Sequence, residues 1–256
     1  VFSVDFIERY VNCPSCGCRF GLADAEGEEA FGDVKIIRKS IDRISWDGLA
    51  ESIAIGEGAR VISVGDKIPV ELKNGEKISL VAVHANPYWE NSMAFSFEDC
   101  LNDEHDMNSS GRYNNGYETC DMRKYLTKEV FKLLPDELAA VIQPRTIQQK
   151  PYDGQMHQFT DKLWLLSQVE VFGLAREEYR GIDIGDIQFD YFKIQKNRIK
   201  TLRGQPYWYW LRTPFASYGS YVRDVSTDGS MDDYYASNSY GVAPACVIGA
   251  PEPKWE

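Results

Sequence analysis

Three cysteines crowd the start of the chain in Cys13-Pro14-Ser15-Cys16-Gly17-Cys18. Thiolates two residues apart can wrap a single tetrahedral zinc, so this knuckle offers half of such a site. No second Cys-x-x-Cys and no His pair follows at a matching distance; Cys100, Cys120, His84, His105 and His157 are scattered. Cys13, Cys16 and Cys18 therefore read either as ligands of one loosely held zinc or as free thiols. Carboxylates are plentiful at Glu98, Asp99, Asp103, Glu104 and Asp106, and again at Asp183, Asp186 and Asp190. At that density they read as solvated faces rather than the acid and nucleophile of a glycosidase. Asp232-Asp233 offers oxygen ligands for a weakly held cation, with exposure on a hairpin as the plainer reading. The chain has no Gly-rich phosphate loop, no Gly-x-Ser-x-Gly elbow and no His-Glu-x-x-His. No catalytic residues are assigned, and the expectation is a protein that is not an enzyme.

The other chemistry the residues offer is recognition. Residues 207–248 open on Tyr207-Trp208-Tyr209-Trp210-Leu211-Arg212-Thr213-Pro214 and close on Gly241-Val242-Ala243-Pro244-Ala245-Cys246-Val247-Ile248. Both ends have the aromatic and β-branched character of core strands. Between them Asp228-Gly229 predicts a tight hairpin turn, because such turns need positive φ. The flanking strands carry mainly Tyr, Ser, Asp and Asn, the residues that recognition surfaces use for rigid contact area and adaptable hydrogen bonds. Tyr218, Tyr221, Tyr234, Tyr235 and Tyr240 are the expected anchors. Ser220, Arg223, Asp232, Asp233, Ser237 and Asn238 are the expected polar contacts. A solvated polar hairpin without a ligand is the alternative. Trp208, Trp210 and Arg212 read as support beneath this surface.

These residues need a frame, and 256 residues can bury a large core. Three segments are expected: a Cys-rich appendage over 1–32, a helical connector over 33–58 and a ligand-binding domain over 59–250. One helix is predicted within 40–56, from Ile41, Ile44, Leu49, Ile53 and Ile55. Strands are expected over 61–64, 67–72 and 77–84, with Asn74-Gly75 turning the last two into a hairpin. Helices are expected over 93–101 and 119–127, after Pro135, and from Ser167, whose Ser-x-x-Glu spacing to Glu170 predicts a capping box ending at Gly173. Residues 162–166 read as a strand and 177–200 as an excursion over the surface. The net charge of −11 argues against a nucleic-acid backbone or an anionic membrane as partner. No apolar run approaches the roughly 18 residues of a membrane span, and no signal peptide is read. A cytoplasmic or virion-associated protein is the expectation.

Several blocks, in order, resemble a poorly characterised bacterial and phage domain family. They are Val64-Gly65-Asp66-Lys67-Ile68, Asp106-Met107-Asn108-Ser109, Glu118-Thr119-Cys120-Asp121-Met122-Arg123-Lys124-Tyr125-Leu126, Leu133-Leu134-Pro135-Asp136-Glu137-Leu138 and Asp161-Lys162-Leu163-Trp164-Leu165. The family's C-terminal pattern is Trp-Leu-Arg-Ser-Pro, Thr-Asp-Gly-Ser and Gly-Val-Arg-Pro-Ala. Here Thr213 stands for Ser and Ala243 for Arg, while Thr227-Asp228-Gly229-Ser230 matches throughout. Domains of this kind look like the C-type-lectin fold, an α+β unit with a twisted antiparallel sheet. They are similar to the variable proteins of diversity-generating retroelements, in which adenines in the codons of a ligand-binding region are mutated. Residues 217–240 consist largely of the amino acids that such mutation of AAY codons yields. The resemblance implies a ligand-binding protein whose C-terminal face binds a protein or a glycan. The alternative is a structural module of a phage or bacterial assembly that uses the same face as a subunit interface. The fold also includes formylglycine-generating enzymes, which use a cysteine pair near the C-terminal strands, where this chain has only Cys246. Calcium lectins carry Glu-Pro-Asn and Trp-Asn-Asp motifs, which this chain lacks.

Overall fold

A computed structural model describes residues 44–173, 182–215 and 217–253, together with the backbone of short N-terminal strands at Phe2–Val4, Tyr10–Asn12, Arg19–Gly21 and Ile41–Ile44. The knuckle cysteines Cys13, Cys16 and Cys18 lie outside the described residues.

The core is organised by an antiparallel sheet. Lys67–Glu71 and Lys77–Ala85 form a hairpin through Asn74-Gly75, with Lys67 opposite Val81 and Glu71 opposite Lys77. Residues along Lys67–Glu71 alternate exposed and buried, as expected of a strand with one wet face. Inward from it lie Ser92–Phe97 and Pro244–Gly249, buried at every position. Trp164–Leu165 follows, and Ile142–Gln143 also pairs with Pro244–Gly249, giving a six-stranded sheet among the described residues. Short helices and further small antiparallel sheets surround it, so the architecture is α+β.

Four elements differ from the sequence expectation. Residues 93–101 are not helical: Ser92–Phe97 is a central strand. Covered on both faces, it loses the alternation that marks a strand, and its apolar run reads equally well as a buried helix. Residues 61–64 form a turn after a 3-10 helix at Gly58–Arg60, not a strand. The helix within 40–56 begins only at Trp46, capped by Ser45, whose Oγ accepts from Gly48 N at 3.1 Å. Upstream, Ile41–Ile44 pairs as a strand with Phe2–Val4. The Trp46–Ala54 helix buries Trp46, Leu49 and Ile53 in the same apolar core as the sheet. Gly249 lies so close to this helix that a Cβ there would sit 2.6 Å from the Ile53 Cγ2.

The fourth difference bears on function. Within the stretch 177–200, the described residues from 182 onward do not simply cross the surface, because Ile182, Asp183, Phe189, Phe192 and Lys200 are buried. The capping box at Ser167–Glu170 forms as expected, and its helix, Gln168–Phe172, stops at Gly173. Phe189 N donates to Glu170 O at 2.9 Å, tying the later segment to this helix. No helix among the described residues is long and apolar enough to cross a membrane.

Candidate functional site

Beneath the C-terminal face lies a buried ionic cluster centred on Arg212. Its Nη1 donates to Glu170 Oε2 and to Leu165 O, both at 2.8 Å, and its Nη2 reaches Asp186. Arg145 Nη1 binds the other Glu170 oxygen at 2.6 Å, while its Nη2 also reaches Asp186. The Arg145 guanidinium lies 3.5 Å from the centre of the Tyr88 ring. Asp183 accepts from Thr213 Oγ1 and from Gln149 Nε2, the latter at 2.9 Å. All five charged side chains are 3% exposed or less. Burial works to raise the Glu170 carboxyl, but the charges of Arg212 and Arg145 outweigh it and hold the group at about 2. Burial pushes Asp183 up to about 6 against the pull of Arg212. A charge in this interior is tolerated only when paired and hydrogen-bonded. The effect of the cluster is to pin Leu211-Arg212-Thr213 to the Gln168–Phe172 helix.

From that pin the chain runs into a three-stranded sheet of Tyr209–Pro214, Tyr221–Val225 and Met231–Tyr235. Asp228-Gly229 makes the turn, with Gly229 at φ +79°. Asp228 Oδ1 accepts from Ser230 N at 2.9 Å and Gln195 Nε2 donates to Asp228 O at 3.2 Å, which fixes the turn against the body of the protein. The register places Tyr221 opposite Tyr235, Val222 opposite Tyr234, Arg223 opposite Asp233 and Asp224 opposite Asp232. Opposed residues share a face and successive residues alternate. Tyr221, Arg223, Asp233 and Tyr235 thus occupy one face, and Val222, Asp224, Asp232 and Tyr234 the other.

The first face carries an open groove of about 510 Å³ lined by Phe215, Tyr218, Ser220, Tyr221, Asp233 and Tyr235. Its rings touch in sequence: Phe215 to Tyr218 at 5.8 Å, Tyr218 to Tyr221 at 5.8 Å and Tyr221 to Tyr235 at 4.4 Å between centroids. A hydrogen bond with Tyr235, helped by burial, raises the Tyr221 phenol to about 12. The loop before Tyr221 is seated by Gly219, whose O accepts from Tyr113 N at 2.6 Å. A Cβ at Gly219 would fall 1.8 Å from Asn114 Oδ1, so a larger residue there would have to turn the Asn114 amide aside.

The expected contact residues are thus divided. Tyr218, Ser220, Tyr221, Asp233 and Tyr235 come together in the groove. Tyr234, Tyr240 and Asp232 belong to the opposite face, where Tyr240 stacks on Trp210 at 4.6 Å. Exposed Ser237 and half-buried Asn238 lie in the turn after Tyr235, with Asn238 N donating to Tyr235 O at 2.9 Å. Arg223 is no exposed contact: it is buried, its Nη1 on Asp233 Oδ1 at 2.7 Å and its guanidinium over Phe215 at 4.6 Å, so it stiffens the groove from below. Trp208 is also corrected, since it is 38% exposed rather than beneath the surface. Sequence reasoning missed Phe215 as a lining residue and Asp224 as a buried carboxylate. Applying strand alternation outward from Asp228-Gly229 would have separated the two faces. The inward course of Asp183 and Asp186 had no comparable local signal.

Residues 84–250 match the family model described as a domain of unknown function, DUF6273. The chain belongs to this family. The matched part of the DUF6273 domain holds the Arg212 cluster, the hairpin and the groove, whereas the Trp46–Ala54 helix and all but the last two residues of the first hairpin of the central sheet precede it. No curated protein and no solved structure matches the chain.

Proposed function

We propose that this DUF6273 protein is a non-enzymatic, receptor-recognition type of binding protein whose C-terminal face, about residues 217–240, takes a protein or glycan ligand. The observation that carries the reading is the convergence of Phe215, Tyr218, Tyr221 and Tyr235 on one open groove above a rigidly pinned strand. Aromatic residues of this kind dominate interface energetics. Buried Arg223 keeps them in place from below through Asp233, which itself lines the groove. The reading also takes the domain as a C-type-lectin-like unit similar to retroelement variable proteins, on the strength of the Trp210-Leu211-Arg212-Thr213-Pro214 and Thr227-Asp228-Gly229-Ser230 blocks. A near-identical repeat downstream of the coding sequence, differing at adenines, would support that kinship. The alternative, a subunit interface in a phage or bacterial assembly, draws on the exposure of Tyr234 and Tyr235 along Met231–Tyr235, which lies at the edge of its sheet.

The test is the triple substitution of Tyr218, Tyr221 and Tyr235 by Ser, with thermal unfolding, sedimentation and binding to candidate host-cell surfaces measured together. Truncating groove anchors should abolish binding, at roughly thirtyfold in affinity for each central ring, with the fold retained. Loss of self-association instead would favour the assembly interface. Unfolding would place the tyrosines in the core and remove the basis of the proposal.

A further inference from the structure

The face of the hairpin opposite the groove is built from different chemistry. Trp210, Asp224 and Asp232 stand opposite one another in register across the three strands, which puts them on one face. Tyr240 lies across this face. Its ring is within 30° of parallel to both indoles, with centroids 4.6 Å from Trp210 and 6.4 Å from Trp208. Tyr234 adjoins it at 5.7 Å. Trp208 is 38% and Tyr234 42% exposed. The result is a shelf of aromatic rings, open to solvent at Trp208 and Tyr234, with exposed Asp232 along one side and Asp224 buried beneath.

Those carboxylates are placed against the interest of the fold. Like charges directly opposed across strands destabilise a sheet, and a buried carboxylate without a counter-charge is costly. Asp224 is 1% exposed, and among the described residues its Oδ1 has no hydrogen-bond partner. Asp232 is exposed and accepts only from the neighbouring Asp233 N, at 2.9 Å. Neither forms an ion pair with a Lys or Arg among the described residues; the guanidinium of Arg223 bonds to Asp233 on the other face. The charge of Asp224 reaches Tyr240, where burial first and that charge second raise the phenol. Such a site gains most from a cation brought in from outside.

We propose that this shelf receives the guanidinium of an arginine side chain presented by a protein partner. The ring faces attract a cation through their quadrupoles. A planar guanidinium can lie flat on Trp208 or Tyr240 while its edge donates to the exposed Asp232, with Asp224 buried behind as a second source of negative potential; a compact ammonium cannot stack in this way. The openness of the shelf argues for delivery on a partner's surface, since a small free amine would keep most of its hydration and few contacts. The chain's net charge of −11 favours approach of a basic surface. This inference shares the hairpin frame with the function proposed above but uses the other face, so either can fail without the other.

The probe is the peptide acetyl-Gly-Arg-Gly-amide, titrated at low salt while the indole N–H signal of Trp208 is followed by NMR. Its citrulline and lysine analogues are titrated alongside. A saturable shift is expected with the arginine peptide, several-fold weaker binding with lysine and no saturation with citrulline. Asp232→Asn should weaken arginine binding at least tenfold while raising the unfolding temperature measured at pH 9 by a few degrees, because Asp224, raised to about 8, is ionised there and the substitution relieves the opposed charges. The Tyr218, Tyr221 and Tyr235 triple variant should bind the peptide unchanged, separating this site from the groove. Equal binding of citrulline would show a shelf for planar groups rather than cations and would overturn the proposal. So would absence of saturation with every peptide, or a lower unfolding temperature in Asp232→Asn.

Discussion

Arg212 lies in the centre of a polar cluster yet makes no contact with the groove. Its guanidinium satisfies Glu170, Asp186 and the Leu165 carbonyl at once, with no exposure to solvent. Removing it leaves Glu170 and Asp186 sharing Arg145, and Asp183 without a cationic partner among the described residues. Breaking a buried charge set in this way typically costs about 3–5 kcal/mol. Arg212→Ala is expected to lower stability by that order in urea unfolding, and Arg212→Lys to recover only part of it, since a lysine cannot fork between two carboxylates. A denaturation curve that coincides with the unsubstituted protein would show the cluster to be dispensable for folding. The importance of Arg212 could be read from its place between Trp210 and Pro214. The identity of its partners could not, because Asp183 and Asp186 lie in a charged segment whose spacing resembles that of any solvated loop.

At the level of elements, what was legible followed local rules. The hairpins at Asn74-Gly75 and Asp228-Gly229 and the capping box at Ser167 each depend on residues within a few positions, and each forms as the spacing predicts. What was not legible depended on neighbours distant in sequence. Ser92–Phe97 becomes a strand because Lys77–Ala85 and Pro244–Gly249 flank it and cover its backbone groups. Ile41–Ile44 becomes a strand because Phe2–Val4 pairs with it. The groove loop is another long-range product, since Gly219 O accepts from Tyr113 N and its Cα lies close to the Asn114 side chain. If the groove binds as proposed, Gly219→Ala should shift Tyr218 and Ser220 and weaken that binding, with a smaller effect on the unfolding temperature. Adding Asn114→Ala should restore binding by removing the clashing amide. If the double variant binds no better than the single one, the loop is placed by something other than this contact.

For the molecule as a whole, the buried acids set a pH profile with two opposing limbs. Glu170 is held at about 2, below its usual 4.5. Its contribution is present above about pH 4.5 and is lost as pH falls through 2. Asp224 moves the other way: burial, reinforced by Asp232 and Asp233 and opposed by Arg223, pushes it up to about 8. A group raised in this way contributes stability that is complete below its unfolded value near 4 and is lost as pH rises through about 8. Asp183, raised to about 6, adds to the same limb. Stability is expected to peak in mildly acidic solution and decline towards pH 8 by an amount on the order of a few kcal/mol. Asp224→Asn should flatten that decline. Urea titrations between pH 4 and 9 check this, and an unchanged slope in the variant would locate the titration elsewhere.

The two faces of the hairpin also have a consequence for how such a chain can acquire new specificities. Odd-numbered residues from 221 to 225 and from 231 to 235 serve the groove side and even-numbered ones the shelf side, because the register alternates without a bulge across Tyr221–Tyr235 to Val225–Met231. Exchanging one amino acid for another along either strand alters a single surface and leaves the other as it was. Inserting or deleting one residue would turn every later side chain on that strand to the wrong side, driving Asp224 or Val222 into solvent and a tyrosine into the interior. The hairpin is therefore open to change in spelling but closed to change in length. If the hairpin recognises ligands as proposed, sister chains with different ligands should differ there by substitutions and keep the same number of residues between Tyr221 and Tyr235.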